Sequence, residues 1–440
     1  MSFRNCIAHE ARAGSARESQ VGSELCPGLF EAFSSDKAYV TYLAYALGIA
    51  SLCFGLFPVW LSVRFRRYVL ARFSGALVDY SPPAAVIIPC KGTDLQFREN
   101  ILSVLDQQYP DVHFLFVTAT NKDPAHAELA KLLAERPALR TQLLVAGTSM
   151  RRAQKLTNLL YAVDHISADR KVVVHLDADI RLRPNFLKHL IAPLHSEDVG
   201  AATGFPWYVP LRGRIGSVMR SIWGGGALPL LIDNRHNLAS GAANALRLEV
   251  YEASGVRAAM DGAVSDTFAI TQSVKRMGKQ VVFVPQCLFV TPDDSSLLET
   301  IRWTTRQTTI SKVYGPKFWW TVALSYSFAT ALLLAGILFL TFAATSGRLT
   351  LLLPALLILC LVPLQSINAA LLLRVVQTML PEQAAQLERM KWKYMTLAPL
   401  GSLLIFANSL LSRATNVISW RGIRYRLVSP TQTQVLDTDE

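Results

Sequence analysis

Four stretches of this chain carry no charged residue: 38–63, 318–346, 349–373 and 394–412. They constrain the fold more than any other feature. Inside a bilayer each backbone N–H and C=O must find its partner within the segment, which leaves the helix as the structure of a lone span. About 20 apolar residues cross the hydrocarbon core, so the first three stretches make comfortable spans and the fourth a marginal one. The first is too long for a signal peptide and follows a polar leader. That leader has scattered Gly and Ser and no apolar periodicity, so residues 1–37 are expected to be a disordered tail. The pattern therefore predicts a transmembrane helix at 38–63, a soluble domain at 64–316, a transmembrane region at 317–412 and a basic, interfacial tail at 413–440.

Arg64, Arg66, Arg67 and Arg72 follow the first span directly. Basic residues in that position place the soluble block on the cytoplasmic side and favour anionic lipid headgroups. The net charge of +12 reads in the same way. Nucleic acid is excluded as a partner, because no binding motif appears and the basic residues flank apolar spans. The six cysteines form no C-x-x-C pair, and Cys53 and Cys360 fall inside predicted spans. That pattern speaks against a disulfide framework or a zinc site and fits a reducing compartment.

Between the first span and the last three, apolar runs alternate with helical segments. Strands are expected at 84–90, 113–118, 142–146, 172–176 and 280–286. Helices are expected at 95–108, 124–135 and 153–165, and another leads to Met277. Helices of that length between strands imply βαβ crossovers, hence an α/β fold with a mostly parallel sheet covered on both faces. Ligands of such sheets bind outside the carboxyl ends of the strands. The strand at 172–176 ends in Asp177-Ala-Asp179, two carboxylates of one orientation if the strand continues. Like charges so placed repel unless a cation lies between them. Mg2+ or Mn2+ prefers carboxylate oxygens and bridges to substrate phosphates, so the pair reads as a metal–diphosphate station; the plainer reading is a strand end and a solvated turn. Residues 205–232 are rich in Gly, Pro and Trp, with Arg212, Arg214 and Arg220 interrupting them, and read as a surface-lying or acceptor-facing segment.

In order along the chain stand Pro89-Cys-Lys-Gly92, Asp123-Pro-Ala125, Lys155-Leu-Thr-Asn-Leu159, Asp177-Ala-Asp179, Ser265-Asp266 and Ile301-Arg302-Trp303. Their order and spacing resemble the family 2-type glycosyltransferases, most closely the membrane-bound ceramide glucosyltransferase branch (family 21). The resemblance covers roughly residues 82–314. It implies a GT-A catalytic domain, a UDP-sugar donor and inversion at the anomeric carbon. It also implies a lipid acceptor taken from the membrane, ceramide or a similar long-chain alcohol. By the same resemblance Asp179 holds the metal with Asp177 beside it on metal or nucleotide, and Asp266 is the catalytic base. Arg302 and Trp303 match the end of a (Q/R)-x-x-R-W element near the diphosphate and acceptor. Lys155 is a candidate for the diphosphate. Each has a plainer role: Asp266 as a helix cap, Arg302 and Arg306 on a membrane-surface helix, Lys155 as a solvated lysine. His175 reads as packed.

Two positions depart from that pattern. Glu299 stands where the element has Gln or Arg. Thr120 stands where an early acidic residue meets the nucleotide; Asp123 either replaces it or is a turn residue before Pro124. A processive polysaccharide synthase is an alternative, disfavoured by Glu299 and the few spans. A catalytically silent sugar-nucleotide binding protein is another, disfavoured by the three retained aspartates. Four full spans would also put the basic 420–426 segment on the external face, against the positive-inside tendency. One C-terminal stretch is therefore expected to be re-entrant or an unequal hairpin, and Trp420, Tyr425 and their arginines to form an interfacial anchor.

Overall fold

The computed structural model describes residues 27–438. Most of the expected tail lies outside them; the first helix, α1, spans Pro27–Phe73 and contains the first apolar stretch. The α/β domain then alternates β1 (Ala84–Pro89), α2 (Phe97–Leu105), β2 (Val112–Thr118), α3 (Pro124–Ala134), β3 (Thr141–Val145), α4 (Gln154–Val163) and β4 (Val172–Leu176). It continues through α5 (Phe186–Ile191), β5 (Val199–Pro210), α6 (Ile215–Gly225), β6 (Ala243–Arg247), α7 (Leu248–Ala253), α8 (Val256–Met260), α9 (Asp266–Arg276) and β7 (Gln280–Asp293). The seven strands make one sheet, ordered β3-β2-β1-β4-β6-β5-β7. All its pairings are parallel except those of β6, which runs antiparallel to both neighbours. β1 and β4 are apolar and buried on both faces, as interior parallel strands are. Their alternate side chains feed two cores, Val86 and Val174 on one side, Ile87 and Val173 on the other.

The sequence reading missed two strands. β6 hid in the small residues Ala243–Arg247. The 205–210 segment is the second half of β5, paired with β7 out to Asp293. Pro206 and Pro210 mask it, since proline argues against an interior strand; a register shift between Thr203 and Phe205 carries the chain past them.

α10 (Leu297–Tyr314) leads into the apolar helices α11 (Pro316–Ser346), α12 (Leu352–Leu359), α13 (Leu361–Met379) and α14 (Ala384–Ala414). Among the described residues, five segments are long and apolar enough to cross a membrane: 38–73, 215–232, 316–346, 349–379 and 381–414. Within the bundle, Ser51 on α1 donates to the Ile358 carbonyl at 2.6 Å and Ser62 to Asn368 at 2.7 Å. Such polar contacts hold apolar helices together where no hydrophobic driving force exists.

α14 returns to the α/β domain at both ends. Near its start Gln386 donates to the Pro210 carbonyl and Lys393 to that of Gly213. Near its end Asn408 accepts from Thr304 and Thr305 of α10, and Ser412 accepts from Trp319 of α11. The chain then forms an antiparallel sheet of β8 (Val417–Trp420), β9 (Ile423–Ser429) and β10 (Gln432–Thr438). Ile418, Ile423, Tyr425 and Leu427 lie in the same core as α4 and α9. Tyr425, expected in an interfacial anchor, is thus buried against protein. The alternation of apolar and polar residues in Ile418–Leu427 is a strand period whose apolar face is buried against protein.

Candidate active site

Strand order reverses between β1 and β4, and the loops leaving their carboxyl ends part there. The crevice is the floor of a cavity of about 1830 Å3, lined by Cys90, Lys91 and Asp94 after β1 and by Asp177 and Asp179 after β4. This is the crevice that open α/β sheets offer to ligands.

Asp177 follows the last residue of β4, and its N–H still donates to the Ala242 carbonyl, which keeps the carboxylate at the strand end. Asp266 is the first residue of α9, and its side chain is nearly closed off from solvent. The helix is capped by Ser265, whose side chain accepts from the Phe268 N–H. The plainer role for Asp266 is thus filled by its neighbour, and its carboxylate faces the cavity. Gly241 makes room for it, because a Cβ there would lie 2.3 Å from Asp266 Oδ1.

Between Asp177 and Asp266 lies Lys155, from the first turn of α4. Its Nζ is 2.6 Å from Asp177 Oδ1 and 2.9 Å from Asp266 Oδ2, and it donates to the Gly241 carbonyl at 3.0 Å. Burial alone would push Asp266 up, but the Lys155 ammonium outweighs it and holds the carboxyl below its ordinary value. Asp177 goes the other way: burial, with the Asp266 charge, raises it despite the same lysine. Burial also works against the charged lysine, and the two carboxylates reverse that, so Lys155 stays cationic.

Asp179 has no ion-pair partner among the described residues. Burial and the charges of Asp177 and Asp94 push it up to about 6. Two carboxylates facing one cavity, one of them without a counter-charge, fit a hard divalent cation that takes its remaining ligands from water and phosphate. Among the described residues no cluster of three His, Cys, Asp or Glu forms a closed protein cage.

Across the cavity Arg220 pairs with Asp293 at 2.6 Å and lies 4.3 Å from the rings of both Tyr208 and Trp303. Trp303 meets Tyr208 and Trp223 edge-on, with centroids 5.1 and 5.4 Å apart. Three aromatics and a guanidinium thus build one rigid wall. Beyond it the lining becomes apolar: Phe57, Trp60 and Leu61 from α1, Phe318, Val322 and Tyr326 from α11, and Ile405 from α14. Phe57, Trp60 and Phe318 remain at least half exposed. The cavity therefore joins a charged floor to an apolar mouth between helices of the bundle.

A profile of glycosyl transferase family 21 matches residues 43–433. The chain belongs to that family. Among solved structures it resembles a mannosyltransferase from Pyrobaculum calidifontis in complex with GDP-Man and Mn2+, at 16% identity and a TM-score of 0.44, over 84% of this chain and 98% of that one. A glucosyl-3-phosphoglycerate synthase from Mycobacterium tuberculosis in complex with Mn2+, UDP and glucosyl-3-phosphoglycerate is similar at 13% identity and a TM-score of 0.35, over 56% of this chain and 81% of that one. Membership rests on the family profile.

In this family 21 enzyme Asp177, Asp179, Asp266, Lys155 and Trp303 all line the cavity. Two other expected residues do not. Arg302 is exposed outside the cavity wall; one turn on, Arg306 faces inward, where burial pushes it down to about 10. On α10 the cavity stripe runs through Trp303, Arg306, Gln307 and Ile310, spaced three and four apart, and Arg302 lies at its exposed edge. Asp123 caps α3, accepting from the Ala125 N–H at 2.9 Å, and also accepts from the Gly92 N–H at 2.8 Å. It braces the β1 loop from behind the cavity. Glu299 closes a capping box with Ser296 at the start of α10, which accounts for an acid at that position. The sequence reading passed over Asp94, Arg220, Tyr208 and Arg421, all on the cavity wall. Arg220 was visible as a charge in an apolar segment, a pattern that marks function.

Proposed function

We propose that this family 21 enzyme moves a hexosyl group, glucose foremost, from a UDP-sugar to the hydroxyl of a membrane lipid such as ceramide, with inversion at the anomeric carbon. The observation that carries the reading is the single cavity, acidic at the sheet and apolar between α1 and α11. A nucleoside diphosphate suits the first end and acyl or sphingoid chains the second.

Asp179 and Asp177 would hold a Mg2+ or Mn2+ ion. Bound there, the ion supplies Lewis-acid stabilisation of the charge that develops on a leaving diphosphate. The protein's own residues do the rest. Asp266, kept ionised by Lys155, accepts the proton of the acceptor hydroxyl. Lys155 bridges Asp177 and Asp266, which sets its charge beside the diphosphate end of the site and beside the base at once. The Trp303–Tyr208–Arg220 wall excludes water and offers an aromatic face to the sugar.

The contacts support one membrane arrangement. Both the catalytic domain and the terminal sheet belong to one body, so the chain between them crosses the bilayer an even number of times. With α11 outward and α12–α13 returning, α14 runs along the interface against α6 and α10, with Trp392, Leu400 and Leu411 exposed on its outer face. Together with α1 this gives three crossings, and the positive-inside tendency puts the catalytic domain and the basic terminal sheet both in the cytoplasm.

The test is incubation of the purified enzyme in ceramide-containing vesicles with UDP-glucose, UDP-galactose or GDP-mannose plus Mn2+, followed by mass spectrometry of the lipids and NMR of the new anomeric centre. A β-linked monoglucosyl lipid supports the reading; a polymer, or a soluble product only, refutes it.

A further inference from the structure

The turn between β8 and β9 is Arg421-Gly422, with φ of 54° and 74°. Trp420 pairs with Ile423 across it, so this is a two-residue hairpin of the kind that requires positive φ at both positions and favours Asn-Gly or Gly-Gly. Arginine is unfavourable in that conformation. Among the described residues only Gln96 shares it outside glycine, and Gln96 lies two positions from Asp94. Strained backbone that persists on a cavity wall points to a side chain held there for use.

That side chain reaches into the active-site cavity. Arg421 binds Asp94 through both terminal nitrogens, at 2.5 and 2.6 Å, and both residues line the same wall as Asp177 and Asp179. Its charge acts on both of those aspartates. The hairpin is fixed on three sides. Trp420 lies against the Arg306 guanidinium at 5.5 Å, the Tyr425 hydroxyl accepts from the Gln154 N–H at 3.3 Å, and the next turn packs so closely on Gly262 that a Cβ there would lie 2.3 Å from the Thr431 carbonyl oxygen.

We propose that Arg421, delivered from the terminal sheet, is a binding residue for the donor diphosphate, and that Asp94 is its partner while the site lacks a donor. The inference rests on the reading of the acidic floor as the donor site. A guanidinium fork matches phosphate oxygens as it matches a carboxylate, so a diphosphate seated against Asp179 competes with Asp94 for the same nitrogens. The terminal sheet, beyond the last apolar helix, thereby becomes part of the catalytic apparatus.

Calorimetric titration of the full-length enzyme in detergent with UDP, GDP and uridine, in Mn2+, tests this. Arg421→Asn suits the turn better than arginine and removes only the cation, so the hairpin survives. It should weaken binding of the accepted nucleoside diphosphate roughly tenfold or more and leave uridine binding unchanged, with Arg421→Lys in between. Asp94→Asn, which releases the arginine, should bind the diphosphate a few-fold more tightly. Wild-type diphosphate affinity in Arg421→Asn overturns the proposal, as does equal loss of uridine binding. Weaker binding in Asp94→Asn overturns its assignment as the resting partner. A wild-type enzyme that binds neither UDP nor GDP overturns the donor-site reading itself.

Discussion

Replacing Asp179 by Asn should make the metal-free protein more stable while removing its response to metal. In the absence of a cation, burial and the charges of Asp177 and Asp94 raise Asp179 from 3.8 to about 6. A carboxylate raised in the folded state destabilises the fold wherever it is ionised there. The penalty is absent below the ordinary value, grows as pH rises from 3.8 to about 6, and is complete at pH 7. At 1.36 kcal/mol per unit it comes to about 3 kcal/mol. A neutral amide removes it, so Asp179→Asn in EDTA melts several degrees above wild type at pH 7, and the gap narrows as the buffer is taken to pH 5. Saturating Mn2+ closes most of the gap. At a hundredfold excess over Kd a ligand stabilises by about 2.7 kcal/mol, and only the wild type gains it. Differential scanning fluorimetry of detergent-purified protein, with EDTA or Mn2+ at two pH values, reads all four states. A lower melting temperature for Asp179→Asn in EDTA refutes the reasoning, as does an equal Mn2+ shift in both proteins.

Other substitutions separate chemistry from scaffold. Lys155→Met removes the cation that holds Asp266 down, so the acid limb of the kcat/KM profile should move to higher pH; an unmoved limb would show that Lys155 does not set the base. Asp123→Ala loses the α3 cap and the brace on Gly92, lowering stability by about 1–2 kcal/mol with donor KM unchanged. A raised donor KM in a well-folded Asp123→Ala would return that residue to the nucleotide. Trp303→Ala should cut kcat/KM at least tenfold, whereas Arg302→Ala, altering an exposed side chain, should stay within about twofold; steady-state transfer assays compare them.

The sheet was legible because interior parallel strands are continuous apolar runs, and 172–176 was placed to the residue. What eluded the sequence were strands whose identity depends on partners. β6 is made of small residues, and β5 carries prolines that only a bulged register accommodates. The acidic triad Asp177, Asp179 and Asp266 was legible from order and spacing. Its electrostatic keystone was not, because a lysine at the start of a helix has no local sign of lying between two aspartates from other elements. Arg302 and Arg306 show the same limit in reverse. They are one turn apart on one helix, and only the packing of α10 decides which of them meets the cavity. The strands of the terminal sheet were not legible because basic and aromatic residues near an apolar helix suit both an interface and an amphipathic strand. The strand period in Ile418–Leu427 was the signal that distinguished them.

The central claim is that Asp266 activates a lipid hydroxyl toward a sugar held over Asp177 and Asp179. The most direct measurement is transfer of radiolabel from UDP-glucose to ceramide in nanodiscs with Mn2+, for wild type and Asp266→Asn matched for UDP affinity. The account predicts labelled glycolipid from the wild type and a rate at least a hundredfold lower from Asp266→Asn, in line with the roughly 10²–10⁴-fold contribution of a general base. Comparable transfer by the two proteins would contradict it.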